Sequence, residues 1–93
     1  MARKEVVARI AGRAAEQGLA RLMMRLPATR ATIRAGAAND PDLYEMCGTY
    51  GEACAVLDLM RGDRSADPAV IAEYESICRE IEAEVLLTLL VGN

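Results

Sequence analysis

The sequence predicts an all-α fold: an antiparallel helical hairpin, about 41–61 and 68–91, with one or two N-terminal helices packed on it as a small helical bundle. Three observations carry this. Two Asp-Pro pairs, Asp40-Pro41 and Asp67-Pro68, each stand at the head of a long run. Apolar residues in both runs recur at intervals of three and four, which lines up one side of an α-helix. The link between the runs, Gly62-Asp63-Arg64-Ser65-Ala66-Asp67, is short enough that the two helices must turn back on each other and touch.

The N-terminal third comes first. Residues 2–26 read as helical with two different apolar sides: Val6, Val7, Ile10 and Ala14 on one, Leu19, Leu22, Met23 and Leu26 on another. Gly18 lies between the two sets. Either the helix stops near Gln17 and restarts, or one long helix touches different neighbours at its two ends. Gly12 weakens the segment by about 1 kcal/mol relative to Ala. Pro27 sets a boundary, because its ring and missing N–H interrupt a helix. A short helix from Ala28 to about Ala35 follows, ended by Gly36, and Ala37-Ala38-Asn39 connects it to Asp40.

The first hairpin helix opens with Asp40 as cap and Pro41 at its first position, where the lost N–H would have had no partner anyway. Asp42 adds negative charge near the positive end of the helix dipole. Leu43, Met46, Cys47, Tyr50, Cys54 and Leu57 form the core stripe. A second side carries Tyr44, Gly48, Gly51, Ala55 and Leu59. Glycines inside a helix are costly, so Gly48 and Gly51 point to close approach by another backbone, that of the N-terminal helix or of its copy in a partner subunit. Gly62 ends the helix as a residue suited to positive φ.

Asp67-Pro68 opens the second hairpin helix in the same way. Its core stripe is Ile71, Tyr74, Ile77, Cys78, Ile81, Val85 and Leu89. Folding about the link sets Leu57 near Ile71, Cys54 near Tyr74, Tyr50 near Cys78 and Leu43 near Leu86. The outer side carries Glu73, Glu75, Arg79, Glu80, Glu82 and Glu84, but from Val85 to Val91 the helix is apolar all round. Such an end is normally enclosed. Without a cover, Leu86, Leu87, Leu90 and Val91 form an oligomer seam or docking site.

Ninety-three residues make a single domain, 1–93, whose core is marginal on its own. The chain has no Trp or Phe, and much of its apolar fraction is Ala, so added burial in a homo-oligomer, with a dimer favoured, is expected. The net charge of −3 divides unevenly: residues 1–34 carry +6 and residues 35–93 carry −9. The basic N-terminal segment, 1–36, is therefore expected to lie over the acidic hairpin, 40–91, of its own or a neighbouring subunit. Its arginines recur at i, i+4 as Arg9 with Arg13, Arg21 with Arg25 and Arg30 with Arg34. Each pair shares a helix face, an arrangement that also suits phosphate contacts. The segment is Arg-rich and poor in acids like a transit peptide, but its two acids and glycine breaks argue against one. No run approaches the ~20 apolar residues of a membrane span.

The chemistry available is narrow. With no His, the Ser-His-Asp and Cys-His catalytic systems and His-containing zinc sites are excluded. Neither a phosphate loop nor a GxGxxG fingerprint is present. Cys47, Cys54 and Cys78 all fall on core stripes; their odd count and spacing match neither a disulfide framework nor a CxxC metal site. They are read as buried free thiols, which fits a cytoplasmic setting. Glu80, Glu82 and Glu84 alternate and so splay around the helix, and no Glu-x-x-His motif joins them, so a di-metal bundle is disfavoured. No catalytic residue, metal site or cofactor is assigned.

From about Ile33 to residue 90 the chain resembles a group of small bacterial helical-hairpin proteins. The residues that carry this are Ile33-Arg34, Asp40-Pro41, the Cys47…Tyr50…Cys54 spacing, Glu73-Tyr74 and the Ile81-Glu82-Ala83-Glu84-Val85 close. The resemblance implies a helical hairpin and brings no activity. The Arg-rich first third lies outside it.

The expected function is that of a non-enzymatic helical interaction module, a regulator, adaptor or inhibitor acting through protein–protein contacts. Its candidate contact residues are Arg9, Arg13, Arg21, Arg25, Gly48, Gly51, Leu86, Leu87, Leu90 and Val91. The alternative is a nucleic-acid-associated protein using the N-terminal arginine pairs.

Overall fold

A computed structural model describes residues 3–91, with side-chain surroundings from Gly12 onward. The described residues are almost wholly helical and contain no strand. Helix α1 spans Arg3–Arg25, a single 3-10 turn covers Pro27–Thr29, α2 spans Arg30–Asn39, α3 Pro41–Arg61 and α4 Pro68–Val91. This is the all-α bundle with the hairpin α3–α4 at its centre. The Cα atoms fill a slab of 44 × 39 × 17 Å, about two helices thick. A slab that thin encloses little, and its broad faces turn outward.

Local chemistry places the helix starts as expected. The Asp40 carboxylate accepts from the Asp42 N–H at 3.0 Å, and that of Asp67 from the Ala69 N–H at 2.9 Å. Of the two readings of the N-terminal segment, one unbroken helix is correct. Its Val6–Val7–Ile10 side and Arg9 fall among side chains outside the described residues. Further along, Ala15, Leu19 and Leu22 are buried, and Met23 and Leu26 pack at the margin of the core.

Helix α1 crosses α3 at two glycines. A methyl group on Gly18 would overlap the Cys47 carbonyl, and one on Gly51 would overlap the carbonyl oxygen of Ala14. The two backbones can meet only because neither residue has a side chain. Gly48 is different: a methyl there would sit 3.9 Å from Ala15, in ordinary contact. Of the second side of α3, Gly48 and Gly51 face α1 and the partly exposed Tyr44 reaches Gly12 of α1 with its hydroxyl, whereas Ala55 and Leu59 remain exposed.

Three expectations need correction. First, α2 does not end at Gly36 but continues to Asn39. The Asp40 N–H bonds the Gly36 carbonyl at 2.8 Å, and the Asn39 side-chain amide donates to the Ala35 carbonyl at 2.8 Å. Gly36 serves packing instead: a methyl there would lie 2.6 Å from Leu43 Cδ2 and 3.2 Å from Leu89 Cδ2. Second, Gly62 has φ −84° and ψ −5°, not positive φ. The reversal is made by the next residues. The Asp63 carboxylate accepts from the Ser65 N–H at 2.9 Å and the Ser65 hydroxyl at 2.7 Å, bonds that also hold its pKa below the ordinary value. Third, the hairpin register is shifted by one turn. The Cys54 and Cys78 sulfurs are 4.0 Å apart, and the Tyr50 hydroxyl donates to Glu82 at 2.6 Å, so Cys54 faces Cys78 rather than Tyr74, and Tyr50 faces Glu82 rather than Cys78. Leu43 correspondingly approaches Leu89, not Leu86, beside Gly36.

The core runs through all four helices: Leu22 of α1, Ile33 of α2, Leu43 and Cys47 of α3 and Val85 of α4 are its fully enclosed members. Tyr74 and Ile81 are half-buried and Ile77 is partly exposed, so the α4 stripe is enclosed along one margin only.

Candidate functional site

The basic end of α1 lies across the acidic hairpin of its own chain. Arg21 pairs with Asp58 of α3, and Arg25 Nε stands 3.6 Å from Glu82 of α4. The hydrogen bond from Arg21 to Asp58 raises the guanidinium pKa further. Arg61 of α3 pairs with Glu75 of α4 at 2.7 Å. Arg13 is exposed, as are Arg30 and Arg34 on α2. The i, i+4 spacing therefore brings Arg21 and Arg25 onto hairpin carboxylates.

Between α1, α3 and α4 lies a cleft of about 360 Å³, with Tyr50, Cys54, Cys78 and Glu82 at its floor and Arg21, Arg25, Arg61 and Arg79 around it. Glu82 was expected on the outer face of its helix. Its side chain is instead only 16% exposed, held by Tyr50 and facing Arg25. The signal was present in the spacing: Glu82 follows Cys78 by four and precedes Val85 by three, and both of those are buried.

The floor of the cleft is chemically quiet. Burial, the bond to Glu82 and the adjoining Cys54 all push the Tyr50 phenol up, so it stays protonated and donates. The Cys78 thiol is pushed up to about 11, first by burial and then by Cys54 and Glu82, with Arg61 opposing. Burial also raises the Cys47 thiol. A thiol is a nucleophile only as the thiolate. These two are protonated at neutral pH, and the arrangement suits a packed core rather than covalent chemistry. All three cysteines are free and buried.

The remaining candidate contacts divide between covered and open. Gly48 and Gly51 lie beneath α1 of the same chain. Leu86 is half-buried, but Leu87, Leu90 and Val91 are 61%, 80% and 81% exposed. They project from the outer side of α4's last two turns, beyond the last carboxylate of that helix. The inner side of those turns is used by Leu89, which meets α2 and α3 at Gly36 and Leu43. No helix among the described residues is long and apolar enough to cross a membrane.

No protein-family model matches the chain, and no match is found among curated proteins or solved structures.

Proposed function

We propose that the protein is a non-enzymatic helical interaction module, a small regulator, adaptor or inhibitor that acts through protein–protein contacts in the cytoplasm and itself forms a homodimer. One observation carries this reading: the outward apolar group Leu87, Leu90 and Val91 at the end of α4. Single exposed apolar residues are ordinary on a protein surface, but a cluster of them on one helix end favours a contact with another protein. The thin slab supports the dimer, since a second copy would cover surface that one chain cannot enclose. The resemblance of residues 33–90 to small bacterial helical-hairpin proteins fits a module of this kind.

Sedimentation equilibrium tests the reading. The full chain is expected at about twice its 10.0 kDa mass. Leu87→Asp with Leu90→Asp is expected at the monomer mass with unchanged helicity. A native chain that stays monomeric at ~50 μM, or a double variant that still dimerises, would remove the α4 end as the dimer contact. A pull-down from the native host that yields no stoichiometric protein would count against the adaptor role.

Nucleic-acid association has less support. Arg21 and Arg25, one of the three arginine pairs, are engaged with carboxylates. Their release would have to accompany any phosphate contact. Absence of salt-sensitive binding to DNA or RNA would remove that alternative.

A further inference from the structure

The hairpin has two broad sides, and among the described residues the contacts of α1 and α2 fall on one of them. On that side α1 lies over Gly51 and Asp58 of α3 and extends toward Glu82 of α4, while α2 meets α4 at Leu89. On the other side, Val56, Val70 and Ile77 stay exposed among the described residues. There the helical spacing aligns Val70, Tyr74, Ile77 and Ile81 along α4, about a quarter turn around that helix from Cys78. The register fixed by Cys54–Cys78 and Tyr50–Glu82 brings Val56 of α3 level with Ile77, and Met60 level with the turn from Ile71 to Tyr74.

The result is an apolar seam between α3 and α4, about 17 Å long from Val70 to Ile81. Val56, Val70 and Ile77 are 37%, 36% and 38% exposed, and Met60, Tyr74 and Ile81 are half-buried. These residues form one continuous apolar strip rather than a scatter of single residues. Its length matches three turns of a helix laid along it.

Its rim along α4 has one sign of charge. Glu73, Glu80 and Glu84 line the α4 edge and are exposed, whereas Glu45 and Glu52 of α3 border a cleft with Gly12 and Ala15 of α1. None of them enters an ion pair among the described residues; the hairpin acids that do are Asp58, Glu75 and Glu82. Two copies placed seam to seam would bring these rims together, and like charges oppose that pairing. A helix with an apolar stripe flanked by Lys and Arg meets both features of the strip at once.

We infer that this seam is a docking site for a basic amphipathic helix of another protein. The inference rests on reading the chain as an interaction module, but it uses a surface separate from the α4 end. A partner helix would place apolar residues at i, i+3/i+4 and i+7 against Val56, Ile77 and Ile81, with its basic flanks over Glu80 and Glu84.

The probe is a synthetic three-to-four-turn amphipathic helix of Leu and Lys, labelled for fluorescence anisotropy, with a Leu and Glu peptide of the same pattern as its control. The full-length chain is expected to bind the Lys peptide, more weakly as salt rises, and to leave the Glu peptide free. Ile77→Glu separates docking from mere attraction. It adds a negative charge, so non-specific attraction would tighten the Lys peptide, whereas burial of that charge in the seam should weaken it by about tenfold or more. Glu80→Lys with Glu84→Lys changes only exposed positions and leaves the fold intact; it should shift preference toward the Glu peptide. Binding of both peptides alike, tighter binding by Ile77→Glu, or no change of preference in the Lys variant each overturns the inference. So does a native dimer that Ile77→Glu dissociates, since a second copy would then be the occupant. If the peptides fail while Leu87→Asp with Leu90→Asp still breaks a dimer, the seam is wrong and the interaction-module reading stands.

Discussion

Gly18 of α1 and Gly51 of α3 meet backbone to backbone: a methyl on Gly18 would fall on the Cys47 carbonyl and 2.8 Å from the Gly51 nitrogen, and one on Gly51 would fall on the Ala14 carbonyl oxygen and 3.0 Å from the Gly18 nitrogen. This fixes how closely α1 can approach, and therefore whether Leu19 and Leu22 reach the core. Gly18→Ala and Gly51→Ala must push two backbones apart, because no flexible side chain can move aside. Each is expected to lower the unfolding free energy by about 1–3 kcal/mol, the usual range for overpacking. Gly48→Ala is the internal control. Its methyl would find ordinary contact at 3.9 Å, and a helical Ala gains up to about 1 kcal/mol over Gly. Urea unfolding should show the first two destabilised and Gly48→Ala neutral or more stable.

The sequence makes some of this legible. Asp40-Pro41 and Asp67-Pro68 give the helix starts because capping is local chemistry, decided within a few residues. Gly48 and Gly51 announce a close crossing because glycine inside a helix is otherwise unfavourable. Which of the two is the contact point, and that Gly18 is its counterpart, depends on the crossing geometry of two helices, which no local pattern encodes. The hairpin register was off by one turn for a similar reason. Apolar periodicity says which side of each helix faces in, but a slide of one turn keeps that side facing in. The Asp63–Ser65 turn selects among these slides. At the candidate site, the apolar run ending at Val91 is readable directly, whereas Glu82 reads as one more acid of the outer face although its spacing from Cys78 and Val85 turns it inward.

Tyr50 joins the two hairpin helices through its hydroxyl. Tyr50→Phe keeps the ring in the core and removes only the bond to Glu82, whose carboxylate stays poorly hydrated. A loss of about 1–2 kcal/mol is expected, in the range for hydrogen bonds to charged groups. Tyr50→Phe combined with Glu82→Gln should cost less than the sum of the single changes, since the two share one interaction. Thermal unfolding of the three variants measures this.

Tyr74 sits at the exposed margin of the α3–α4 seam rather than inside it. Complete burial of an aromatic ring would make truncation to Ala cost ~3–5 kcal/mol. With the ring half-buried, about 2 kcal/mol is expected for Tyr74→Ala. Leu22→Ala, at a fully enclosed position of α1, should cost more, about 2–5 kcal/mol. Equal losses in denaturant unfolding would mean that the α4 margin is covered as fully as the core.

Alkaline pH should unfold the protein, and the thiols set where this begins. Cys78 has its pKa raised from 9.0 to about 11 in the folded chain, with burial the largest cause. A raised pKa means that the fold favours the protonated thiol. Below the unfolded value of 9.0 both states are protonated, and the full stability is present. As pH rises further, the unfolded chain loses its proton while the folded chain retains it, so stability falls with pH until the folded thiol also ionises near 11. Cys47 is shifted in the same direction by burial, and Tyr50, raised by burial and its bond to Glu82, extends the loss to higher pH. Unfolding midpoints are therefore expected to be flat from pH 7 to about 8.5 and to drop steadily above about 9. Cys78→Ala should start from lower stability at neutral pH but show a shallower alkaline drop, because one proton-linked group has gone. Burial of all three cysteines predicts that the native thiols react slowly with a disulfide reagent at neutral pH, and rapidly once urea has opened the bundle. A Cys78→Ala profile parallel to that of the native chain would show that Cys78 is not held protonated in the core, and fast labelling without denaturant would show that the thiols are not enclosed.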